Sequence, residues 1–236
     1  MAGLFTVPFG HQENTGGALQ MFVDRGMVNE VFNLDRSVGV QLWGTLMDKK
    51  LDYQFAVTNG WGNPYAAFDD RDPVRALDQN PAFTGRLVYK AMGEIGAGDS
   101  DLQYHEDPAL QFGLSAGYMD DNGDVSNRVL LYRISDAVRA ATRQGAYSTT
   151  NLTGNNVVQF GADSQFKYRG LGVTWEYYMR MINVSDNDPL VNAFFAATGD
   201  DATTHQQGTE VQVGYFLIPK KLEAIARMGC VWDIGP

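Results

Sequence analysis

Residue types able to perform covalent or metal chemistry are sparse in this chain. The three histidines, His11, His105 and His205, stand far apart, and none falls in an H-E-x-x-H pair or at another ligand spacing. A single cysteine, Cys230, supplies neither an intrachain disulfide framework nor a zinc site. There is no G-x-S-x-G elbow and no G-x-x-x-x-G-K phosphate loop. The stretch MDDNGDV (119–125) opens like a calcium loop. With Asp120 at position 1, however, Val125 stands where the glycine belongs and Leu131 where the bidentate glutamate belongs. An Asn-Gly hairpin turn is the better account. The residues call for no metal, no cofactor and no enzyme.

What remains is charge and its placement. Arg86, Lys90, Lys167 and Arg180 share one parity of alternating segments with Asp52, Asp163 and Glu176. The connector 120–155 holds NRVLLYRISDAVRAATRQG, in which Arg128, Arg133, Arg139 and Arg143 face only Asp136. Arg139 and Arg143 stand four apart, a spacing that puts both on one face of a short helix. Cations grouped in a narrow passage would concentrate anions by focusing the field. The plainer reading is a solvated loop whose arginines pair with Asp120, Asp121 and Asp124. Arg25 and Arg36 are expected to pair with Asp24 or Asp35. The acidic connectors 60–81 and 183–209 are expected mainly to solvate.

The elements that must position these charges are strands. LDYQFAVTN (51–59) places Leu51, Tyr53, Phe55 and Val57 on one parity and Asp52, Gln54, Ala56 and Thr58 on the other. Period-2 segments recur at 3–10, 38–47, 82–91, 108–119, 156–168, 171–181, 210–218 and 222–232. Pro8 marks an edge or a strand end, and Trp43 and Phe216 fall on the polar parity. Long connectors (11–37, 60–81, 120–155, 183–209) alternate with shorter ones (48–50, 92–107, 169–170, 219–221). An antiparallel up-and-down sheet with elaborate loops at one end and tight turns at the other produces that rhythm, and so does a transmembrane β-barrel of the bacterial outer membrane.

The totals narrow the choice. Across 236 residues the net charge is −10, with 28 Asp plus Glu against 18 Lys plus Arg, which argues against nucleic acid as a partner. Mean hydropathy is −0.26, and no apolar run approaches the roughly 18 residues of a membrane helix. Most predicted strands approach the roughly 9–11 residues of a tilted membrane-crossing strand, longer than the mode of about 5–6 in soluble proteins. A barrel with aromatic residues toward lipid and polar residues around water fits better than the alternative. That alternative is a soluble or surface β-sandwich binding ligands or partners through its long loops. MAGLFTVPFG carries no basic and apolar leader pattern. About nine strands are read, whereas a closed bacterial barrel needs an even number. The whole chain is therefore expected to be one barrel domain, 1–236, with both ends missing.

The chain resembles the phosphate-selective porin O/P family. The likeness lies in VPFG (7–10), MFVDRGMVNEVF (21–32), DRSVGVQLWG (35–44), LDYQFAVTNG (51–60), PAFTGRLVY (81–89), FGLSAGYMDDNGD (112–124) and FLIPKKLEAIAR (216–227). Their order and spacing extend over nearly the whole sequence. The resemblance implies a 16-stranded barrel, a homotrimer and an outer-membrane location. It also implies passive passage of small hydrophilic solutes, anions such as phosphate among them. The excess of acids departs from the dense lumenal Arg and Lys of that family and counts against phosphate selectivity. The expected selectivity residues are Arg86, Lys90, Arg128, Arg133, Arg139, Arg143, Lys167 and Arg180.

Overall fold

The computed structural model describes residues 1–61, 81–120, 155–184 and 203–234. They form one antiparallel sheet of nine strands, each paired with its neighbours in sequence. The strands are β1 (Ala2–Thr6), β2 (Arg36–Leu46), β3 (Leu51–Asn59), β4 (Pro81–Met92), β5 (Ala109–Asp120), β6 (Asn155–Tyr168), β7 (Leu171–Val184), β8 (Thr203–Ile218) and β9 (Leu222–Ile234). Short turns close one end. At Arg169-Gly170 both residues take positive φ (47° and 82°), as a two-residue hairpin turn requires. The sheet is open, with β1 and β9 at its edges.

Two boundaries differ from the sequence pattern. The first strand, expected over 3–10, ends at Thr6, where the chain turns off the edge just before Pro8, which has no N–H to give a ladder. β8 begins at Thr203 rather than 210. Its polar first half, His205 to Glu210, pairs with both β7 and β9, so hydrogen bonding carries it where hydrophobic alternation is weak.

The two faces are inverted relative to a soluble sheet. One carries Val40, Leu42, Phe55, Phe83, Leu87, Phe112, Leu114, Trp175 and Met228, all exposed. Register aligns them in rows; one runs Leu51, Tyr89, Phe112, Ser164, Trp175, Val211, Met228 across seven strands. The other face carries Thr84, Arg86, Ser115, Gln159, Asp163, Gln165, Lys167, Glu176, Glu210 and Gln212, all buried. Leu114 is 62 % exposed while Gln212 is 1 % exposed. Phe216 keeps the inward parity and is buried there, whereas Trp43, on the same parity, is exposed.

The polar face is covered by two inserted stretches. Residues 7–35, between β1 and β2, enter from the end opposite the tight turns and contain a 3-10 turn (Gly17–Leu19) and one α-helix, α1 (Met27–Phe32). Residues 93–108, between β4 and β5, enter from the turn end. The first brings an apolar cluster of its own: Val7, Phe9, Val28, Phe32 and Leu34 close around Tyr178 of β7. Phe9 and Phe32 stack on Tyr178 with ring centroids 5.8 and 5.6 Å away, within the range in which aromatic pairs add about 0.5–1.5 kcal/mol beyond burial.

Inward-facing glycines make room for this insertion. A Cβ at Gly208 would stand 2.7 Å from Phe32 and 2.8 Å from Val28. Overpacked sites lose about 1–3 kcal/mol. Gly208→Val is therefore expected to lower stability by that amount and to push α1 off the sheet. Thermal unfolding, together with thiol labelling of a cysteine placed at Val28, checks it; an unchanged labelling rate would mean that α1 does not rest on Gly208.

Candidate functional site

Burying a charge is costly unless opposite charge and hydrogen bonds meet it, and the inner face is arranged to that end. On β4, Arg86 clasps Asp163 of β6 in a two-pronged pair at 2.5 and 3.0 Å, the strong geometry for guanidinium and carboxylate. One of its nitrogens also donates to Ser115 Oγ at 3.0 Å. A side chain at position 113 would collide with the Asp163 carboxylate, so Gly113 opens the space for it.

Glu176, one strand over on β7, holds the inserted segment. Its Oε1 accepts the backbone N–H of His11 at 2.7 Å and of Gln12 at 3.0 Å, and the Tyr178 hydroxyl at 2.7 Å. Its Oε2 accepts Gln12 Nε2 at 2.5 Å. The same amide nitrogen donates to Glu210 Oε1 on β8 at 2.7 Å, while Gln12 Oε1 accepts the N–H of Gly26 at 2.9 Å. Gln12 thus spans two carboxylates and ties them to the start of α1. Gly10, at φ +69°, lets the Tyr178 hydroxyl come close; a Cβ there would lie 2.3 Å from it.

The remaining inner cations are also engaged. Arg180 donates to Gln159 Oε1 at 2.7 Å and to the Val31 carbonyl at 2.9 Å, and lies 5.1 Å from the Phe32 ring centroid. Gln159 Nε2 donates to the Phe32 carbonyl. Lys167 donates to the Ala97 carbonyl at 3.4 Å, and Lys90 pairs with Asp52 at 3.1 Å in a half-exposed position. Arg227 on β9 lies 3.5 Å from Glu210 and donates to the Asp24 carbonyl at 2.9 Å.

The insertions carry titratable groups of their own. Burial pushes the Glu13 carboxyl up to about 7, against the downward pull of Arg25, whose Nε lies 3.3 Å away. Arg25 thus pairs with Glu13, and not with the adjacent Asp24 or Asp35 that its sequence neighbours suggested. Asp35 is also raised, by burial above all. Asp101 goes the other way. Burial would raise it, but hydrogen bonds from the His105 ring and from the Gly170 and His105 backbone hold it below the usual carboxylate range. Among the described residues no cluster of His, Cys, Asp and Glu is placed to hold a metal ion.

Of the eight cations singled out by sequence, Arg86, Lys167 and Arg180 lie on the buried polar face and Lys90 at its margin. The structure joins each to a partner and does not bring the four together. Arg128, Arg133, Arg139 and Arg143 lie outside the described residues, as do the MDDNGDV turn beyond Asp120 and most of the two acidic connectors. Sequence reasoning missed the segment 7–35. Part of its signal was present: Val28 and Phe32 are apolar residues in the connector 11–37, whereas Val7 and Phe9 fall in the segment expected to be a strand. In the fold they meet inward-parity glycines at 208 and 161. No protein-family model, curated protein or solved structure matches the chain.

Removing one partner of a buried ion pair costs about 3–5 kcal/mol, because the other charge is stranded. Asp163→Ala should therefore destabilise the protein by that much, and by far less in an Arg86→Met background. A double-mutant cycle on denaturant unfolding measures the difference; purely additive losses would show that the pair is not coupled.

Proposed function

We propose that the chain forms part of a β-barrel porin: a passive, water-filled channel for small hydrophilic solutes across a bacterial outer membrane. The observation that carries this reading is the inversion of the sheet. Side chains such as Leu42, Phe112, Leu114, Trp175 and Met228 face outward while Arg86, Asp163, Lys167, Glu176 and Glu210 are enclosed. In water such an outer face would drive association. In hydrocarbon it is the favourable surface, and the polar interior is what a water-filled lumen needs. The alternative β-sandwich asks for a second sheet packed on the aromatic face, and the described residues contain one sheet only.

Open edges in hydrocarbon would leave unpaired backbone groups at several kcal/mol each. On this reading β1 and β9 are therefore joined in the membrane, with each other or with further strands of a larger barrel. The family resemblance suggests sixteen strands and a trimer. Residues 7–35 and 93–108 narrow the passage, and the paired state of Arg86, Lys90, Arg25 and Arg227 tempers the anion preference that the resemblance implies. Arg128, Arg133, Arg139 and Arg143, outside the described residues, are the further cations that the reading assigns to an anion path.

Full-length protein in a planar bilayer under a KCl gradient should show stepwise conductance, and the sign of its reversal potential gives the selectivity. Recovery as a soluble species without detergent, with no conductance, would overturn the porin reading. Arg139→Ala with Arg143→Ala should reduce any anion preference; an unchanged reversal potential removes both from the path. Arginine at the bilayer midplane costs about 2–4 kcal/mol on the lipid face of a barrel. Leu114→Arg should accordingly weaken folding into lipid vesicles, as followed by denaturant titration.

A further inference from the structure

The two insertions enter from opposite ends of the sheet and meet at a polar joint. His11 Nε2, on the first, lies 2.7 Å from Asp99 Oδ1 on the second. Asp99 is fully buried. Its second oxygen accepts the Met21 N–H at 3.2 Å, and its own N–H donates to the Leu19 carbonyl at 3.0 Å. We infer that His11 is a positioning residue whose proton locks residues 7–35 to residues 93–108, holding the passage narrow while the ring is charged and releasing it as the pH rises. This rests on the channel reading above.

The surroundings of His11 favour its charged form. Asp99 faces it from the second insertion, Glu176 from β7 with the Tyr178 hydroxyl bonded to that carboxylate, and Asp163 and Gln165 from β6. Thr15 of its own segment lies 3.3 Å from Nε2. Arg86 of β4 stands behind Asp163, and Lys167 of β6 lies near Asp99 and Asp101. Burial disfavours the imidazolium, but the Asp99 hydrogen bond and the charges of Glu176, Asp99 and Asp163 outweigh it and raise the group above its ordinary 6.5.

A charged donor on a carboxylate forms a hydrogen bond roughly twice as strong as a neutral pair does. For a base whose value in the folded protein is raised, that gain is complete below the unfolded value. It fades as pH climbs through the folded one. Loss of the proton leaves Asp99 a buried anion facing a neutral ring, with the Met21 N–H as its other donor. The joint therefore loosens on the alkaline side, and the same carboxylate that holds the ring then favours rearrangement.

Single-channel conductance of the full-length protein in planar bilayers, at fixed KCl from pH 6 to 9, tests this. Wild type should rise about twofold or more toward pH 9, while His11→Gln and Asp99→Asn stay at the high level throughout. Glu13→Gln should keep the rise, which separates His11 from the Glu13 carboxyl that burial pushes up to about 7. A flat wild-type profile, a wild-type rise in His11→Gln, or loss of the rise in Glu13→Gln overturns the inference. Should the variants fail to fold, NMR titration of the His11 ring in the wild-type protein decides: a value above the ordinary one supports the lock, and a value at or below it overturns it. Absence of any conductance in wild type counts against the channel itself.

Discussion

A carboxylate enclosed on the wall of a sheet organises everything on its polar side. Glu176 is 1 % exposed and has four donors within hydrogen-bonding distance, three of them from the turn His11–Gln12. An anion out of water is tolerable only when its lone pairs are filled. Residues 7–35 can lie over the sheet because they fill them. Gln12 extends the arrangement to Glu210, so two acids on neighbouring strands share one amide, which offsets part of their repulsion.

The energetics of the fold follow from this inversion. The outward face gains nothing from water exclusion within the described chain, and the small apolar cluster around Tyr178 is the main hydrophobic contact inside it. Cohesion therefore comes from the nine-strand backbone ladder and from matched polar groups such as Arg86 with Asp163 and Arg180 with Gln159. A network of this kind is demanding, since one lost partner strands another group in a dry place. It also defines position sharply, because each bond has a length and a direction that oily contacts lack. On the proposed reading, those are the properties needed by a segment that sets the width of a passage.

Much of this was legible beforehand, for a simple reason. Alternation has a period of two, so a strand with one wet and one oily face is written directly into residues such as Leu110 to Tyr118 or Leu171 to Met181. Nine segments were readable, and nine strands are present among the described residues. The limits were read less well where the periodicity is interrupted: Pro8 ended β1 early, and the glutamines ahead of Glu210 concealed the first half of β8. The four inward cations Arg86, Lys90, Lys167 and Arg180 were located by parity, but their partners were not. Arg25 shows why: the neighbours in sequence suggested Asp24 or Asp35, while the chain fold delivers Glu13.

Which side chains share a face was thus determined by the sequence alone, because parity along an extended chain is a local geometric fact. Which connector folds over the polar face was decided only in three dimensions. The longest connector, 120–155, drew attention on length and arginine content. Residues 7–35 cover the sheet because inward glycines on β6 and β8, the Tyr178 ring and the Glu176 carboxylate receive them from far away in the chain. Residues 93–108 lie over Gly172 of β7, where a Cβ would stand 2.7 Å from the Asp99 carbonyl. No local pattern encodes that convergence. It exists once antiparallel registry has set β4 to β9 side by side, and only then do His11 and Asp99, entering from opposite ends, find each other.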